Sequence, residues 1–285
     1  MFDQVRGVTY TDFRMKTRVL LTMLIVFIVV SGVCITCGTI FVVRDIEVVD
    51  VTVQTANPLN EDEKNNVIEQ SGLRGKNILF NVDHNQIAQK IKTVDPMLKL
   101  QTVTAKFPNR VVLVVSRRVP VFYDDNYMYD AEMCVVGSGT APNLVDISGA
   151  NLVLADNLKT GDLAVGKDKQ SQIKINQIKV IANYFDSLDG LEVAYNDEGA
   201  EIGNQRYVCL LLKINSAVTF KIKVSSNENF LNALEFTDQV YKKQHINGVY
   251  QTLYNNDGKI RTAICDVNDN ILIDQSGKEM FYEEK

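Results

Sequence analysis

Hydrophobic and polar positions divide the chain into three regimes. From Val19 to Val43 no residue is charged, a run of 25 positions. Roughly 20 apolar residues cross a bilayer's hydrocarbon, so this run predicts one membrane-spanning helix. Past it, a valine-rich stretch, Ile46–Val53, predicts a strand leaving the membrane. Asn60 with Glu63 three residues on predicts a capped helix start, and Gly72 its stop, with Val67 and Ile68 as a small apolar face. Asp83 with Gln86 opens a second helix, whose Ile87, Ile91 and Val94 recur at helical spacing until Asp95-Pro96. Leu98–Phe107 reads as a strand, Pro108-Asn109 as a turn, and Arg110–Val119 as an antiparallel return. The order is β-α-α-β-β. Both helices are expected on one face of a small sheet, whose open margin is assigned to Arg110, Val112, Val114, Arg117 and Arg118.

A third regime follows Pro120. Short β-prone runs at Val121–Tyr123, Tyr127–Tyr129, Met133–Val136 and Leu144–Ile147 enclose a turn-rich GSGTAPN at residues 137–143. Ile173, Ile178, Ile181, Phe185 and Leu188 predict a helix closed by Gly190. Leu191–Tyr195, Tyr207–Ile214 and Thr219–Val224 read as strands, and Phe230 to Tyr241 as another helix. Val249–Tyr254 and Ile260–Val267 flank Asn255-Asn256-Asp257-Gly258, a hairpin signal. The fold class is α+β: one transmembrane helix, the β-α-α-β-β unit, then an antiparallel β domain with two helices. The expected boundaries are 1–18 for a cytoplasmic tail, 19–43 for the helix, 44–120, 121–268, and 269–285 for a C-terminal tail.

Charge sets the orientation. Arg6, Arg14, Lys16 and Arg18 precede the apolar run against only Asp3 and Asp12, so the N-terminus is expected in the cytoplasm. A cleaved signal peptide would have a shorter apolar region and a small-x-small site. Residues 44–285 hold 26 basic and 33 acidic residues, the totals of 30 and 35 less four and two. A net charge of −7 there argues against nucleic acid and against docking on anionic lipid head groups. Cys134, Cys209 and Cys265 are odd in number, so a disulfide framework is not what organises the outer chain, although one pair remains open to them. Cys34 and Cys37, a C-x-x-C inside the apolar run, read as small core residues.

Catalytic chemistry is sparse. The two histidines, His84 and His245, lie far apart in sequence, and zinc wants three or four clustered ligands. GSGTAP lacks the lysine and helix start of a phosphate loop. Asp124-Asp125 and Asp186 with Asp189 could pair carboxylates but read as solvated loop positions. No cofactor, metal or small-molecule substrate is expected. Tyr250 and Tyr254 fall on one face of a strand, either as packing or as a partner-facing anchor. The strand that holds them, Val249, Tyr250, Gln251, Thr252, Leu253 and Tyr254, is the candidate partner site, offering backbone for strand addition.

SGLRGKNILFNVD (71–83), QIAQKI (86–91), DPMLKLQTVTAKFPNRVVLVV (95–115) and RRVPV (117–121) together resemble the FtsQ/DivIB family of bacterial division proteins. LVDISG (144–149), LKTGDLAVG (158–166) and INGVYQTLYNNDGKI (246–260) follow as further landmarks. The resemblance implies a POTRA domain at 44–120 and a β domain behind it. It also implies a non-catalytic scaffold at the division septum, binding small bitopic partners of the FtsB/DivIC and FtsL kind to regulate septal peptidoglycan synthesis. Two other readings are a POTRA-bearing translocation component, which would need a closed barrel, and a membrane-tethered cell-wall enzyme.

Overall fold

The computed structural model describes the chain except residues 1–9, 53–56, 79–81, 140, 142, 197–200, 203, 204, 207, 225–228, 255–258 and 285, with backbone alone at 10–18, 34, 37, 201, 202, 205 and 206. The expected hairpin turn at 255–258, and the side chains of Cys34 and Cys37, lie outside the described residues. The chain divides into two compact units at Arg117/Arg118, three residues before the expected boundary.

The first unit opens with α1 (Tyr10–Ile40). Its apolar span, Val19–Ile40, has a mean hydropathy of 2.8 and buries nothing against the rest of the protein. Twenty-two residues at 1.5 Å rise cover about 33 Å, enough for a hydrocarbon core of about 30 Å. Phe41–Val43, expected in the helix, have left it. Val43 is instead 1% exposed in the core of the unit that follows, a burial in protein that hydropathy cannot distinguish from burial in lipid.

β1 (Asp45–Asp50), α2 (Glu61–Ser71), α3 (His84–Val94), β2 (Leu98–Lys106) and β3 (Arg110–Arg117) follow in the β-α-α-β-β order. Their sheet runs β1-β3-β2, with β1 parallel and β2 antiparallel to β3. Asn60 and Glu63 form a full capping box, and Gly72 ends α2 at φ 63°, a left-handed turn that glycine enters without steric cost. Asp83 caps α3 through the amides of Asn85 and Gln86. Ile87 and Ile91 pack with Val67 and Leu73 over Ile46, Leu98, Val111, Leu113 and Val115. Val94, expected as the third core position of α3, is the helix's last residue and is 42% exposed. Asp50 closes the path from β1 to α2, accepting from the amides of Thr52 at 2.9 Å and Leu59 at 2.6 Å.

The second unit contains β4 (Phe122–Tyr123), β5 (Tyr127–Tyr129), β6 (Val135–Ser138), β7 (Val145–Asp146), α4 (Lys169–Tyr184), β8 (Glu192–Asn196), β9 (Glu201–Ile202), β10 (Gln205–Arg206), β11 (Val208–Asn215), β12 (Val218–Val224), α5 (Phe230–Gln244), β13 (Gly248–Tyr254), β14 (Ile260–Cys265) and β15 (Phe281–Glu283). β9 and β10 pair with each other. The remaining ten strands form one sheet, in the order β15-β14-β13-β12-β11-β8-β7-β4-β5-β6. The expected antiparallel sheet is in fact mixed: β12–β13, β4–β7 and β7–β8 are parallel. The β12–β13 exception has a direct cause, because α5 lies between them and a helical crossover returns the chain in the same direction. Residues 269–285, expected as a tail, supply β15.

One face of this sheet is covered and the other wet, so residues alternate. Val218, Phe220, Ile222 and Val224 of β12 are buried, while Thr219, Lys221 and Lys223 are half-buried. Register carries the same rows across neighbouring strands. Val193, Leu212, Phe220, Tyr250 and Ile264 form one inner row. Ile175, Ile178 and Ile181 of α4 and Phe230, Ala233 and Leu234 of α5 belong to the same core. α4 ends earlier than its apolar pattern: Phe185 is already extended, and it and Leu188 pack on the core from the loop beyond. Gly248, at φ 149°, opens β13 where a Cβ would stand 2.6 Å from the Cys265 carbonyl oxygen.

Candidate partner-docking margins

Strand addition needs main-chain N–H and C=O groups that nothing else occupies. The expected docking strand does not offer them. β13 is bonded to β12 along one side and to β14 along the other. It is interior, so Val249–Tyr254 cannot accept another strand, which corrects the expectation from sequence.

Its side chains divide by face. Tyr250 is fully buried, donates from its hydroxyl to the Ile246 carbonyl at 2.8 Å and accepts from the Ile246 amide at 3.2 Å. Its ring sits edge-on to Phe220 and Tyr241 at 5.8 and 5.5 Å. Thr252 is equally buried and lies 2.7 Å from both the Thr237 and Thr262 hydroxyls. Thr237 donates to the Ala233 carbonyl, which can only accept. Each hydroxyl has one proton, so Thr252 donates to Thr237 and Thr262 to Thr252. Tyr254 packs against the same core. Val249, Gln251 and Leu253 face the wet side, half-buried.

In the first unit, too, the assigned margin lies elsewhere. β3 is the middle strand, flanked by β1 and β2, so Arg110, Val112, Val114 and Arg117 do not form a margin. Middle strands of three are paired on both sides, and an apolar run such as VVLVV fits that place. Arg110 bridges to Asp45 at 3.2 Å and Glu47 at 2.6 Å. Arg117 reaches Glu63 at 2.7 Å and the Asn57 carbonyl at 3.2 Å. That bond to Arg117, with the Asn60 amide, holds the Glu63 carboxyl below its usual range. Arg118 belongs to the second unit, where it pairs with Asp130 and lies 3.3 Å from Glu132. The actual outer strands are β1 and β2. β2 carries a bulge between Leu100 and Thr102 and exposes Gln101, Thr102, Thr104 and Lys106, features that discourage pairing.

The large sheet ends at β6 and β15. β6 is covered: Val135 exchanges bonds with Asp162 and Gly161, and Ala164 donates to Met133. Among the described residues, β15 has no strand paired along its outer side. Glu284 donates to Ile260, and Ile264 to Met280. In an antiparallel ladder bonded pairs alternate with non-bonded ones, so Tyr282 exchanges its bonds with Thr262, its register partner. The amide of Glu283 and the carbonyls of Phe281 and Glu283 therefore point outward. The Phe281 amide is taken by Glu279. Tyr282 packs on the core, whereas Phe281 is 49% exposed. Val267, Ile271 and Ile273 are exposed on the segment leading to it, at 88%, 39% and 65%. Lys259 and Arg261 pair with Glu283 and hold its carboxyl below the usual range.

No cluster of three metal-ligating side chains occurs among the described residues. Asp124 serves its own turn, accepting from the Asn126 and Tyr127 amides at 2.8 Å and from the Tyr129 hydroxyl at 2.7 Å. His245 caps α5 beside Tyr241, and His84 begins α3 in the other unit. Asp189 lines an open polar hollow of about 680 Å³ with Tyr123, Asp146 and Glu192. Cys134, Cys209 and Cys265 are buried thiols. Burial pushes the Cys209 and Cys265 thiols up, away from reactivity.

Phe281–Glu283 is absent from the strands that the sequence predicts. Its signal is Met280-Phe281-Tyr282, a short apolar and aromatic run after Gly277. Residues 47–118 match the family model of the FtsQ-type POTRA domain. No curated protein matches the chain. Residues 47–118 are thus an FtsQ-type POTRA domain directly behind a helix long and apolar enough to cross a membrane, an arrangement that is FtsQ/DivIB-like and fits a single-pass protein of cell division.

Proposed function

We propose that the chain is a non-catalytic scaffold of the division septum that captures the extended segment of a small bitopic division protein as an added strand on β15. The N-terminus is cytoplasmic and both folded units lie outside the cytoplasmic membrane. The partners are FtsB/DivIC-like and FtsL-like, and the assembly regulates septal peptidoglycan synthesis. The observation that supports this reading is the margin of β15: outward main-chain groups at Phe281 and Glu283 beside exposed apolar side chains. Backbone bonding would give affinity and the apolar neighbours selectivity. The ten-strand sheet has two distinct ends, which counts against a translocation barrel.

The test is Glu283→Pro in the full-length chain. Proline removes an amide that faces outward, so the ladder to β14 survives, and edge strands tolerate the residue. Glu283→Ala controls for the lost pairs with Lys259 and Arg261. Co-purification of the FtsB/DivIC-like partner is expected to fall about tenfold with proline, the equivalent of one charge-free hydrogen bond, and to persist with alanine. Equal recovery with both would contradict the reading.

A further inference from the structure

We propose that the first unit rests on the bilayer its own helix crosses, through a basic apron with Phe107 at its tip that engages anionic phospholipid head groups. This inference does not depend on how β15 is used. It begins with the absence of a linker. α1 ends at Ile40, and Phe41 already accepts from the Ile78 amide at 2.7 Å. The Val43 amide donates to Lys76 at 2.8 Å, and the Gly75 amide donates to Val43 at 3.0 Å. The Arg44 amide donates to the Asn109 carbonyl at 2.9 Å. Two segments, 73–78 and 106–110, are thus bonded within a few residues of the end of the apolar span. Hydrogen-bonded strands lie about 4.8 Å apart, and the head-group layer is roughly 5–8 Å deep on each side. The bonded segments therefore sit at that layer.

Their chemistry suits it. Arg44, Arg74, Lys76 and Lys106 are all exposed, and none has a salt bridge among the described residues. The fifth cation, Arg110, is neutralised by Asp45 and Glu47. Phe107 is 62% exposed at the tip of the β2–β3 turn, its ring edge-on to Phe41 at 5.9 Å. Exposed aromatic and basic side chains carried on neighbouring segments are the chemistry by which interfacial segments seat themselves in a membrane surface. The chain as a whole carries −5, and net charge taken alone argues against anionic lipid. Screening overrules that argument: charges more than about 8–10 Å away are muted at physiological salt, so the local cluster decides.

The chain contains no tryptophan, so Phe107→Trp gives a single fluorescent reporter in the full-length protein. Val94→Trp is the control. Val94 adjoins Leu98, the far end of β2, roughly 27 Å from Lys106 at strand rise. Both variants are reconstituted in brominated phosphatidylcholine vesicles, with or without phosphatidylglycerol. With phosphatidylglycerol present, the indole of the Phe107→Trp chain is expected to be quenched about twofold or more over that of the Val94→Trp chain. Adding Arg74→Glu with Lys76→Glu should at least halve that difference. Salt at about 1 M, where the screening length is about 3 Å, should do the same without altering any residue. A Phe107→Trp reporter quenched no more than the Val94→Trp control would overturn the proposal. Equal quenching in neutral and anionic vesicles, unmoved by salt, would overturn it too.

Discussion

Replacing Asp130 with alanine is expected to destabilise the second unit by about 3–5 kcal/mol, the range for breaking a buried ion pair from one side. The Arg118 side chain is 12% exposed and Asp130 8%. Asp130 also accepts from the Glu132 and Cys134 amides at 2.9 and 2.8 Å, so its loss frees two turn amides as well as a guanidinium. Glu132 remains as a substitute, but it is 47% exposed and 3.3 Å away, where solvent weakens its pull. The Arg118 Nε already lacks a partner. Burial by itself would lower the pKa of Arg118; the bond to Asp130 and the neighbouring negative groups reverse this and raise it. Arg118→Met should cost less than Asp130→Ala, because the carboxylate it leaves behind keeps the Glu132 and Cys134 amides as donors, whereas Asp130→Ala strands a guanidinium and frees both amides. Urea unfolding of the solubilised full chain, followed by near-ultraviolet circular dichroism of its tyrosines, measures both. Equal and small shifts would show that the pair contributes little.

Tyr250→Ala is expected to cost a similar amount, about 3–5 kcal/mol, as a large buried aromatic exchanged for a methyl group. It empties the site shared with Phe220 and Tyr241 and removes both bonds to Ile246. Tyr250→Phe keeps the ring and loses only the hydroxyl's bonds, at about 1–3 kcal/mol. Partner binding by the phenylalanine variant should equal that of the parent chain, because the hydroxyl never reaches the surface. Weakened binding by a stably folded Tyr250→Phe chain would return Tyr250 to the docking surface.

The contrast between β13 and β15 illustrates what a sequence carries. Val249–Tyr254 announces itself as a strand through β-branched and aromatic alternation, and it is one. Its neighbours are a different matter, because α5 carries the chain across and sets β13 parallel to β12. Pairing partners of that kind are fixed by the path of the whole chain, which no local window contains. β15 has three residues and follows a run of tight turns at Asp266 and Asp274. It gains strand geometry only by completing the row that ends in Thr262 and Tyr282. The same limit explains β3, whose apolar run identifies a strand without saying whether it lies at the middle or the margin of its sheet. Caps fare better, since Asn60 with Glu63 and Asp83 act on amides two or three residues away. Local chemistry of that range is written locally. At Phe41–Val43 the sequence is ambiguous in principle, for a valine destined for lipid and one destined for a protein core have the same hydropathy.

The apolar helix and the FtsQ-type POTRA domain fit a cell-division scaffold, and in the proposed reading the outer side of β15 is the margin on which it docks its partner. The most direct test is amide hydrogen exchange at Glu283, measured on the membrane-embedded full chain alone and in complex with the proposed FtsB/DivIC-like partner. The account predicts fast exchange alone and strong protection in the complex, with the interior amides of β13 protected in both. Protection that never reaches Glu283, in a complex that nevertheless forms, would contradict it.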